Sequence, residues 1–323
     1  MATLPVFYYP STIIQVDDDT LFLQAISKML FSDQITKTFD DPETCMTYLE
    51  NYQTSFPNIS FLRGHSEHDL YETINHSPVD FNISLLSSLK DQPNRTSEIS
   101  VIIVDYAMPK MNGLELCRKL KNFPFKKILL TGEADHRAAV AAFNDNIIDK
   151  FIQKSSASVA NDLKSYVNLL QQQYFRERTQ HLLSHLEVDC PLALSDPAFV
   201  NFFHNWCRDH SIREYALIDK NGSFMIINEK NECAYLIVHT DRTLDSFVKL
   251  YDDVSDAKQS LDSVKQRKKI PFFGVSKESW QFEATEWANY LHPHQTLEGR
   301  EKYYWTVISD QHFNKEDAML TPR

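Results

Sequence analysis

The N-terminal half of the chain alternates short apolar runs with helical patterns, and this alternation constrains the fold more than any other feature of the sequence. Short apolar runs are typical of buried parallel strands, and apolar residues three or four positions apart indicate helices. A chain that repeats strand and helix in turn predicts a doubly wound α/β domain with a five-stranded parallel sheet. The predicted strands are residues 12–16, 35–39, 101–104, 127–130 and 149–153.

Polar side chains stand directly after these predicted strands. Asp17 and Asp18 follow the first strand, Asp105 the third, Thr131 the fourth and Lys154 the fifth. Ligands bind at the carboxyl ends of the strands in such a sheet, so we expect these five side chains to meet there. Three gathered carboxylates repel one another unless a cation lies between them, and oxygen ligands without Cys or His suit Mg²⁺.

The same side chains predict a phosphoryl-transfer site. A hydroxyl and an ammonium group on neighbouring strands can bind the oxygens of a phosphoryl group, and a carboxylate can accept the group itself. The set formed by Asp105, Thr131 and Lys154 therefore favours an acyl-phosphate site. Asp19 is open to a plainer interpretation, as the cap of the following helix.

Four motifs in combination resemble one protein family. In this order and spacing, over roughly residues 10–175, the sequence resembles the receiver domain of bacterial two-component response regulators, which has a flavodoxin-like fold. Each motif alone is a weak signal, whereas the combination is specific. The motifs are Val16-Asp17-Asp18-Asp19, Val104-Asp105-Tyr106-Ala107-Met108-Pro109-Lys110-Met111-Asn112-Gly113, Leu130-Thr131-Gly132 and Phe151-Ile152-Gln153-Lys154.

The resemblance implies a phosphoacceptor and a metal site. Asp105 would accept a phosphoryl group from a sensor histidine kinase or a phosphotransfer protein. Mg²⁺ would be the cofactor, bound by Asp17, Asp18, Asp105 and the backbone carbonyl of Ala107.

The resemblance also implies a switch. Thr131 and Lys154 would bind the new phosphate oxygens, and Phe151 matches the position of the switch aromatic residue. Ser155 follows Lys154, whereas the family usually has a proline there. Because a non-proline cis peptide costs about 3 kcal/mol, we expect a trans peptide and a differently shaped loop.

A second departure from the family is the long segment between the second helix and the strand that leads to Asp105. The family usually has a short loop here, and a structureless loop of this length is uncommon in a compact domain. We therefore expect a helical insertion at about residues 53–98, with helices at 65–74 and 79–89.

A long helix is predicted from about residue 158 to 188. Serines at 155–158 can cap it, and Leu163, Tyr166, Leu170 and Tyr174 form an apolar stripe. A helix of about 28 residues would be ~42 Å long, which is more than a receiver domain needs for its last helix. We expect it to link two domains and to pair with a second copy in a homodimer. The alternative is that the stripe packs only on its own chain.

Residues 189–312 predict a smaller α+β output domain, followed by a tail at 313–323. A helix is predicted from Ser195-Asp196-Pro197, and Asn221-Gly222 indicates a hairpin turn between strands 214–219 and 223–228. Further strands are predicted at 233–239 and 302–309, and helices at 243–269, with a break near 254–255, and at 278–291. This order of elements is similar to that of PAS domains, which is an analogy only.

The composition excludes several classes of function. The net charge is −11, from 33 basic and 44 acidic residues, and no basic reading helix is evident near the C-terminus, so DNA binding is not expected. Five scattered cysteines favour a reducing compartment, a secretory signal is not expected from Met1-Ala2-Thr3-Leu4-Pro5, and the sequence contains no run of 18 apolar residues. We therefore expect a cytoplasmic protein without a membrane segment.

These observations predict a response regulator that relays phosphorylation of Asp105, through a conformational or dimerisation switch, to an output domain that is not of a DNA-binding type. The two-domain plan is similar to that of quorum-sensing response regulators. The chain is expected to be a phosphoacceptor with autophosphatase activity at most. Two alternatives are a receiver-coupled enzyme that acts on a small signalling molecule and an output domain that binds nucleic acid by an unrecognised fold.

Overall fold

The computed structural model describes residues 3–30, 34–53, 62–63, 80–81, 95–132, 135–179, 192–219, 221–275 and 281–309. Contacts divide the chain into two compact units. The parallel unit comprises Tyr9–Pro57 and Asp91–Arg178, and the antiparallel unit comprises Met1–Tyr8, Asn58–Lys90 and Thr179–Arg323. Across the described residues, no helix is both long and apolar enough to cross a membrane.

The helices and strands are numbered in chain order. The strands are β1 (Phe7–Tyr8), β2 (Thr12–Val16), β3 (Ile35–Phe39), β4 (Leu62–Arg63), β5 (Asp80–Phe81), β6 (Ile99–Asp105), β7 (Lys126–Thr131), β8 (Lys150–Gln153), β9 (Ile212–Leu217), β10 (Phe224–Asn228), β11 (Cys233–Thr240), β12 (Ile270–Pro271), β13 (Leu291–His292), β14 (Gln295–Glu298) and β15 (Lys302–Ser309). The helices are α1 (Thr20–Leu30), α2 (Pro42–Glu50), α3 (Gly113–Lys119), α4 (His136–Asn144), α5 (Val159–Arg178), α6 (Pro197–Asp209), α7 (Asp241–Leu250) and α8 (Lys258–Lys265).

The parallel unit contains a five-stranded sheet in the order β3-β2-β6-β7-β8, and every pair of neighbours is parallel. The predicted doubly wound parallel sheet is therefore confirmed. Its register pairs Val16 with Val104 and Asp105 with Leu130, so the carboxyl ends of the central strands lie side by side. The chain passes from β2 to β3 on one side and from β6 to β7 on the other, so the switch point at which open α/β sheets bind ligands lies between β2 and β6.

Two helices of this unit begin at capping residues. Asp41 accepts a hydrogen bond from the backbone N–H of Thr44 at 2.9 Å, and Pro42 occupies the first turn of α2. Asn112 caps α3 in the same way, by accepting from Glu115 N at 2.9 Å. Both caps lie near the carboxyl ends of strands, and they fix where the loops after β3 and β6 end.

Helix α5 packs its apolar face against the sheet of its own unit. Leu163, Val167 and Leu170 are buried in one cluster with core residues of the sheet, and Tyr166 packs against that cluster. In the described residues, this apolar face therefore packs on its own chain, which is the alternative to pairing with a second copy. The helix ends at Arg178, and residues 180–191 of the predicted linking helix lie outside the described residues.

A buried polar network holds the C-terminal half of α5. Glu98 is fully buried and accepts hydrogen bonds from the hydroxyls of Tyr174 and Tyr52, the latter at 2.9 Å. Gln171 donates to Ser11 Oγ at 3.2 Å. Burial is the main reason that the pKa of Tyr174 lies far above its ordinary value, with the Glu98 carboxylate adding to the shift. Because hydrogen bonds are directional and apolar contacts are not, this network fixes the position of α5 on the sheet more precisely than apolar packing alone would.

The predicted insertion is described at only a few positions. Strands β4 and β5 pair antiparallel, with Leu62 opposite Phe81. The helix predicted at 79–89 is therefore wrong at Asp80 and Phe81, where the backbone is extended. The helix predicted at 65–74 and the rest of 82–89 lie outside the described residues.

The antiparallel unit contains a six-stranded sheet in the order β1-β9-β10-β11-β15-β14. The strand predicted at 302–309 is confirmed, and the hairpin predicted around Asn221-Gly222 forms between β9 and β10. The sequence did not indicate β1, which pairs Phe7 with Ala216, or the edge strand β14. The resemblance to PAS domains stays a prediction.

The helical predictions for this unit are only partly correct. The predicted break near 254–255 is confirmed, since α7 ends at Leu250 and α8 begins at Lys258. The α-helix predicted at 278–291 is wrong, because Ala284–Tyr290 is a 3₁₀ helix and Leu291 begins β13. Trp287 is buried there in a cluster of aromatic rings, with the ring of Tyr251 4.9 Å away. The conformation of this segment is therefore determined by the packing of its aromatic rings and not by its helical periodicity.

His239, at the end of β11, links this strand to β12. Its Nε2–H donates to the carbonyl of Pro271 at 2.9 Å, and Nδ1 lies 3.3 Å from Thr243 Oγ1. Burial lowers the pKa of His239 below its ordinary value of 6.5, against the opposing effects of the Asp219 carboxylate and the bond to Pro271. At a pH just below 6.5, His239 therefore begins to bind a proton in the unfolded chain but stays neutral in the folded protein.

We expect acidification below about pH 6.5 to destabilise the antiparallel unit through His239, because the unfolded chain then binds a proton that the folded chain does not. One such proton contributes at most about 1.4 kcal/mol per pH unit. The free energy of unfolding can be followed by tryptophan fluorescence, since all four tryptophans (206, 280, 287 and 305) lie in this unit. A His239→Gln protein should show a shallower pH dependence, and an unchanged slope would contradict the assignment.

Candidate acidic site at the sheet edge

Three carboxylates meet at the carboxyl edge of the parallel sheet. Asp17 and Asp18 follow β2 and Asp105 ends β6, and one oxygen from each lies within 4.8 Å of those from the other two. Asp17 and Asp105 are buried, whereas Asp18 is exposed. Within the described part of the chain, this is the one group of at least three acidic, histidine or cysteine side chains close enough to share a cation.

Lys154 lies between the two buried carboxylates. Its Nζ is 2.7 Å from Asp17 Oδ2 and 2.8 Å from Asp105 Oδ1. Burial would lower the pKa of Lys154, but the bonds to Asp105 and Asp17 outweigh it and raise the pKa above its ordinary value. Burial raises the pKa of Asp17, and the bond from Lys154 only partly offsets this. One ammonium group thus neutralises part of a pocket that holds two buried negative charges.

Thr131 ends the neighbouring strand β7. Its side chain is fully buried, and Oγ1 has no hydrogen-bond partner among the described residues. The backbone N–H of Lys154 donates to the carbonyl of Thr131 at 2.9 Å, which ties the ends of β7 and β8 together. A buried hydroxyl without a partner is costly unless something binds it. This hydroxyl is therefore available to a ligand oxygen that enters the site.

The aromatic side chain of Phe151 is half-buried on β8. Its ring makes edge contacts with His136 at 5.5 Å and with Phe143 at 6.2 Å between centroids, both on α4. Phe151 therefore packs against the helix that follows Thr131 in the chain. The Lys154–Ser155 peptide bond is trans, as expected where serine replaces the usual proline.

The loop after Asp105 is held close to the strand. The backbone N–H of Tyr106 donates to Leu130 O at 2.8 Å, and Gly113 N donates to Tyr106 O at 3.0 Å. These bonds fix Tyr106, which precedes Ala107, whose carbonyl is the predicted fourth metal ligand. A role for that carbonyl stays a prediction.

Two residues near the site were not found from the sequence. The ring of Phe22, in the first turn of α1, lies 4.6 Å from Lys154 Nζ, so the ammonium rests over an aromatic face. Lys110 binds Asp41 and Glu43 at 3.3 Å each, which joins the loop after β6 to the start of α2. Only the position of Phe22, one turn after the acidic motif, could have suggested its role.

The donor set fits magnesium. Octahedral Mg²⁺ has ligands at 2.0–2.1 Å, so its oxygen ligands must lie within about 4.2 Å of one another. Carboxylate oxygens that approach to within 4.8 Å are close to this spacing. The absence of nitrogen and sulfur ligands favours Mg²⁺ over zinc or copper.

Comparisons with known proteins agree with this geometry. A family model described as the response regulator receiver domain matches residues 67–168, which include Asp105, Thr131 and Lys154 but not Asp17 or Asp18. No curated protein sequence matches the chain.

Solved structures extend the comparison. The Legionella pneumophila response regulator LqsR is similar at 30% identity over 94% of this chain and 89% of that chain, with a TM-score of 0.78. An adenylate cyclase from Rhodopirellula baltica is 20% identical over 54% of this chain and 96% of that chain, with a TM-score of 0.38. An uncharacterized protein from Neptuniibacter caesariensis is 17% identical over 53% and 95%, with a TM-score of 0.37. At these low TM-scores, the last two similarities carry no argument about this chain.

The similarity to the Legionella regulator covers nearly all of both chains at 30% identity. The receiver family model matches the part of the chain that holds Asp105. The doubly wound sheet and its acidic edge are the features that such a domain requires. The chain therefore belongs to the response regulators of two-component signal transduction.

Proposed function

We propose that this response regulator accepts a phosphoryl group on Asp105 from the phosphohistidine of a sensor histidine kinase or a phosphotransfer protein. The observation that carries the proposal is the buried Asp105 carboxylate, which is paired with Lys154 at 2.8 Å and flanked by Asp17 and Asp18. A carboxylate in such a place can act as a nucleophile because neighbouring groups neutralise the incoming phosphoryl oxygens.

The transfer exchanges one bond for another. An oxygen of Asp105 attacks the phosphorus, the bond from phosphorus to the donor imidazole nitrogen breaks, and that nitrogen keeps the electron pair. Lys154 and the unpartnered Thr131 hydroxyl lie where they can bind phosphoryl oxygens. Mg²⁺ held by Asp17, Asp18, Asp105 and the Ala107 carbonyl would neutralise further negative charge.

The switch is proposed to start from the new contacts of Lys154 and Thr131. Lys154 has to exchange a carboxylate partner for a phosphoryl oxygen, and a bond to Thr131 would draw the end of β7 inward. Phe151 packs on α4, which follows Thr131 directly, so a shift there changes the surface formed by α4 and β8. A ligand-dependent surface of this kind can alter pairing with a second copy or with the output domain.

The proposal extends to the oligomeric state and to the biological process. A homodimer is proposed because a change in the surface formed by α4 and β8 has an effect only if a partner binds one form of that surface more tightly than the other. Quorum sensing is proposed as the process because the plan of a receiver domain followed by an output domain is similar to that of quorum-sensing response regulators. Neither enters the chemistry at Asp105.

Acetyl phosphate tests the chemistry without the unknown kinase. We expect the full chain, incubated with acetyl phosphate and Mg²⁺, to gain a phosphoryl group that is stable in acid and labile in base, as an acyl phosphate should be. Removal of Mg²⁺ by EDTA should abolish the reaction, because the clustered carboxylates then repel the donor. Intact-mass spectrometry measures both. Labelling that does not depend on Mg²⁺, or no labelling at all, would argue against the proposal.

A further inference from the structure

A cleft of about 650 Å³ lies in the antiparallel unit, between the end of α6 and the sheet. This size is within the range of sites that bind small organic molecules. Its floor is aliphatic, formed by Ile226, Ala234 and Val307. The cleft lies on the other compact unit from Asp105, and nothing in the phosphoacceptor chemistry uses it.

The floor is open at the end of the sheet. Val307 of β15 pairs with Leu236 of β11, whereas the pairing of β15 with β14 stops at Trp305. Val307 is therefore 40% exposed. Trp305, two positions earlier on the same face, is covered by Phe202 of α6, with ring centroids 4.7 Å apart. Helix α6 thus covers one end of this sheet face and leaves the apolar surface beyond it open.

One wall of the cleft is a flat aromatic pair. The rings of Trp206 and His210 stack with centroids 4.1 Å apart and planes inclined by 16°. His210 Nδ1 lies 2.8 Å from the carbonyl of Trp206, and because a carbonyl only accepts, Nδ1 carries the hydrogen. In the neutral ring, Nε2 is then an acceptor. The wall offers an aromatic face and a hydrogen-bond acceptor.

The opposite rim carries a carboxylate in a fixed position. Glu232 lies in the turn between β10 and β11, where the amide of Asn228 donates to its Oε2 at 2.6 Å. The side-chain Oδ1 of Asn228 accepts in turn from the backbone N–H groups of Lys230 and Glu232, both at 2.9 Å. Because these bonds already hold the Glu232 side chain in place, a ligand that pairs with it pays a smaller entropic cost for ordering it.

The charge of the cleft selects its ligand. Among the described residues that line it, Glu232 is the one acidic side chain, and neither lysine nor arginine occurs. This carboxylate would repel a negatively charged ligand, whereas an ammonium group would pair with it and could also rest on the indole face of Trp206. We propose that this cleft binds a small organic cation, an amine with a flat or aliphatic apolar body. The proposal does not depend on the proposed phosphorylation of Asp105.

The test uses three probes of one shape and different charge: 2-phenylethylamine, 2-phenylethanol and phenylacetate. Each is titrated at neutral pH into the full chain, with binding measured by calorimetry and by ligand-observed NMR. We expect the amine to bind, the alcohol to bind more weakly and phenylacetate not to bind. Glu232→Gln should weaken the amine about tenfold, which is what loss of one charge-assisted bond costs.

Two further variants keep the test decisive. Glu229→Gln removes an exposed carboxylate from the same turn, but one that does not line the cleft, so it should leave amine affinity unchanged. Val307→Arg puts a cation on an already exposed position of the floor and should abolish amine binding without unfolding the chain. Equal affinity for the amine and phenylacetate, equal effects of the two glutamine variants, or no amine binding to wild type would each overturn the proposal.

Discussion

An Asp105→Asn protein is expected to take up no phosphoryl group from acetyl phosphate under conditions that label the wild type. The amide has nearly the shape of the carboxylate, but it lacks the negative charge and the lone-pair basicity with which the carboxylate attacks phosphorus. Lys154 retains its 2.7 Å ion pair with Asp17 in this variant, so the pocket keeps a charged partner for the ammonium. Loss of labelling would then reflect loss of the nucleophile and not collapse of the site.

A matched control separates the acceptor from other aspartates. Asp145 caps the C-terminal end of α4 and is exposed, so Asp145→Asn should be labelled like the wild type. Peptide mapping after borohydride trapping would identify the modified residue directly. If the Asp105→Asn protein were labelled as strongly as the control, Asp105 could not be the acceptor.

The part of the fold nearest the site was predictable because its signals are local. Thr12–Val16 contains Ile13, Ile14 and Val16 and is buried on both faces, and the run of aspartates that starts at Asp17 marks its end. A polar residue immediately after such a strand must lie at the carboxyl edge of the sheet. The sequence therefore predicts that Asp17, Asp105 and Lys154 lie together, as they do in the structure.

The elements that were missed depend on partners far away in the sequence. Strand β1 has two residues, and its pairing with β9 is a contact across more than half of the chain. Strand β14 is exposed along most of its length and has no apolar alternation that would indicate it. The segment at 284–290 has helical spacing of apolar residues, yet the rings around Trp287 hold it as a 3₁₀ helix. Tertiary packing overrides a local pattern in such cases.

The stripe on α5 illustrates a different limit. Periodicity shows that one face of a helix is apolar, but it does not show what covers that face. From the sequence, a coiled-coil partner would explain the stripe as well as packing on the same chain. In the structure, Leu163 and Leu170 are buried against the sheet of their own unit. The buried bonds of Tyr174 to Glu98 and of Gln171 to Ser11 also tie this helix to its own chain.

Gly113→Ala is expected to be among the most damaging single substitutions in the parallel unit. A Cβ atom on Gly113 would lie 2.0 Å from the carbonyl oxygen of Asp105 and 2.9 Å from Val104 Cγ1, both on the buried strand β6. Neither is the movable end of a long side chain, so α3 or the strand must shift. We expect a loss of about 3 kcal/mol in the free energy of unfolding. A displacement of Asp105 by about 1 Å would slow its phosphorylation about a hundredfold.

Gly132→Ala provides the matched control, because Gly132 also follows a strand at the same edge of the sheet. A Cβ there would lie 3.5 Å from Asp135 Oδ2, which is an ordinary contact with a side chain that can move. Hydrogen exchange at residues 99–105, measured by mass spectrometry, should therefore accelerate in Gly113→Ala and stay near wild type in Gly132→Ala. Equal protection of β6 in the two variants would mean that α3 can retreat from the strand at little cost. The close approach of Gly113 to Asp105 would then not be what holds the acceptor in place.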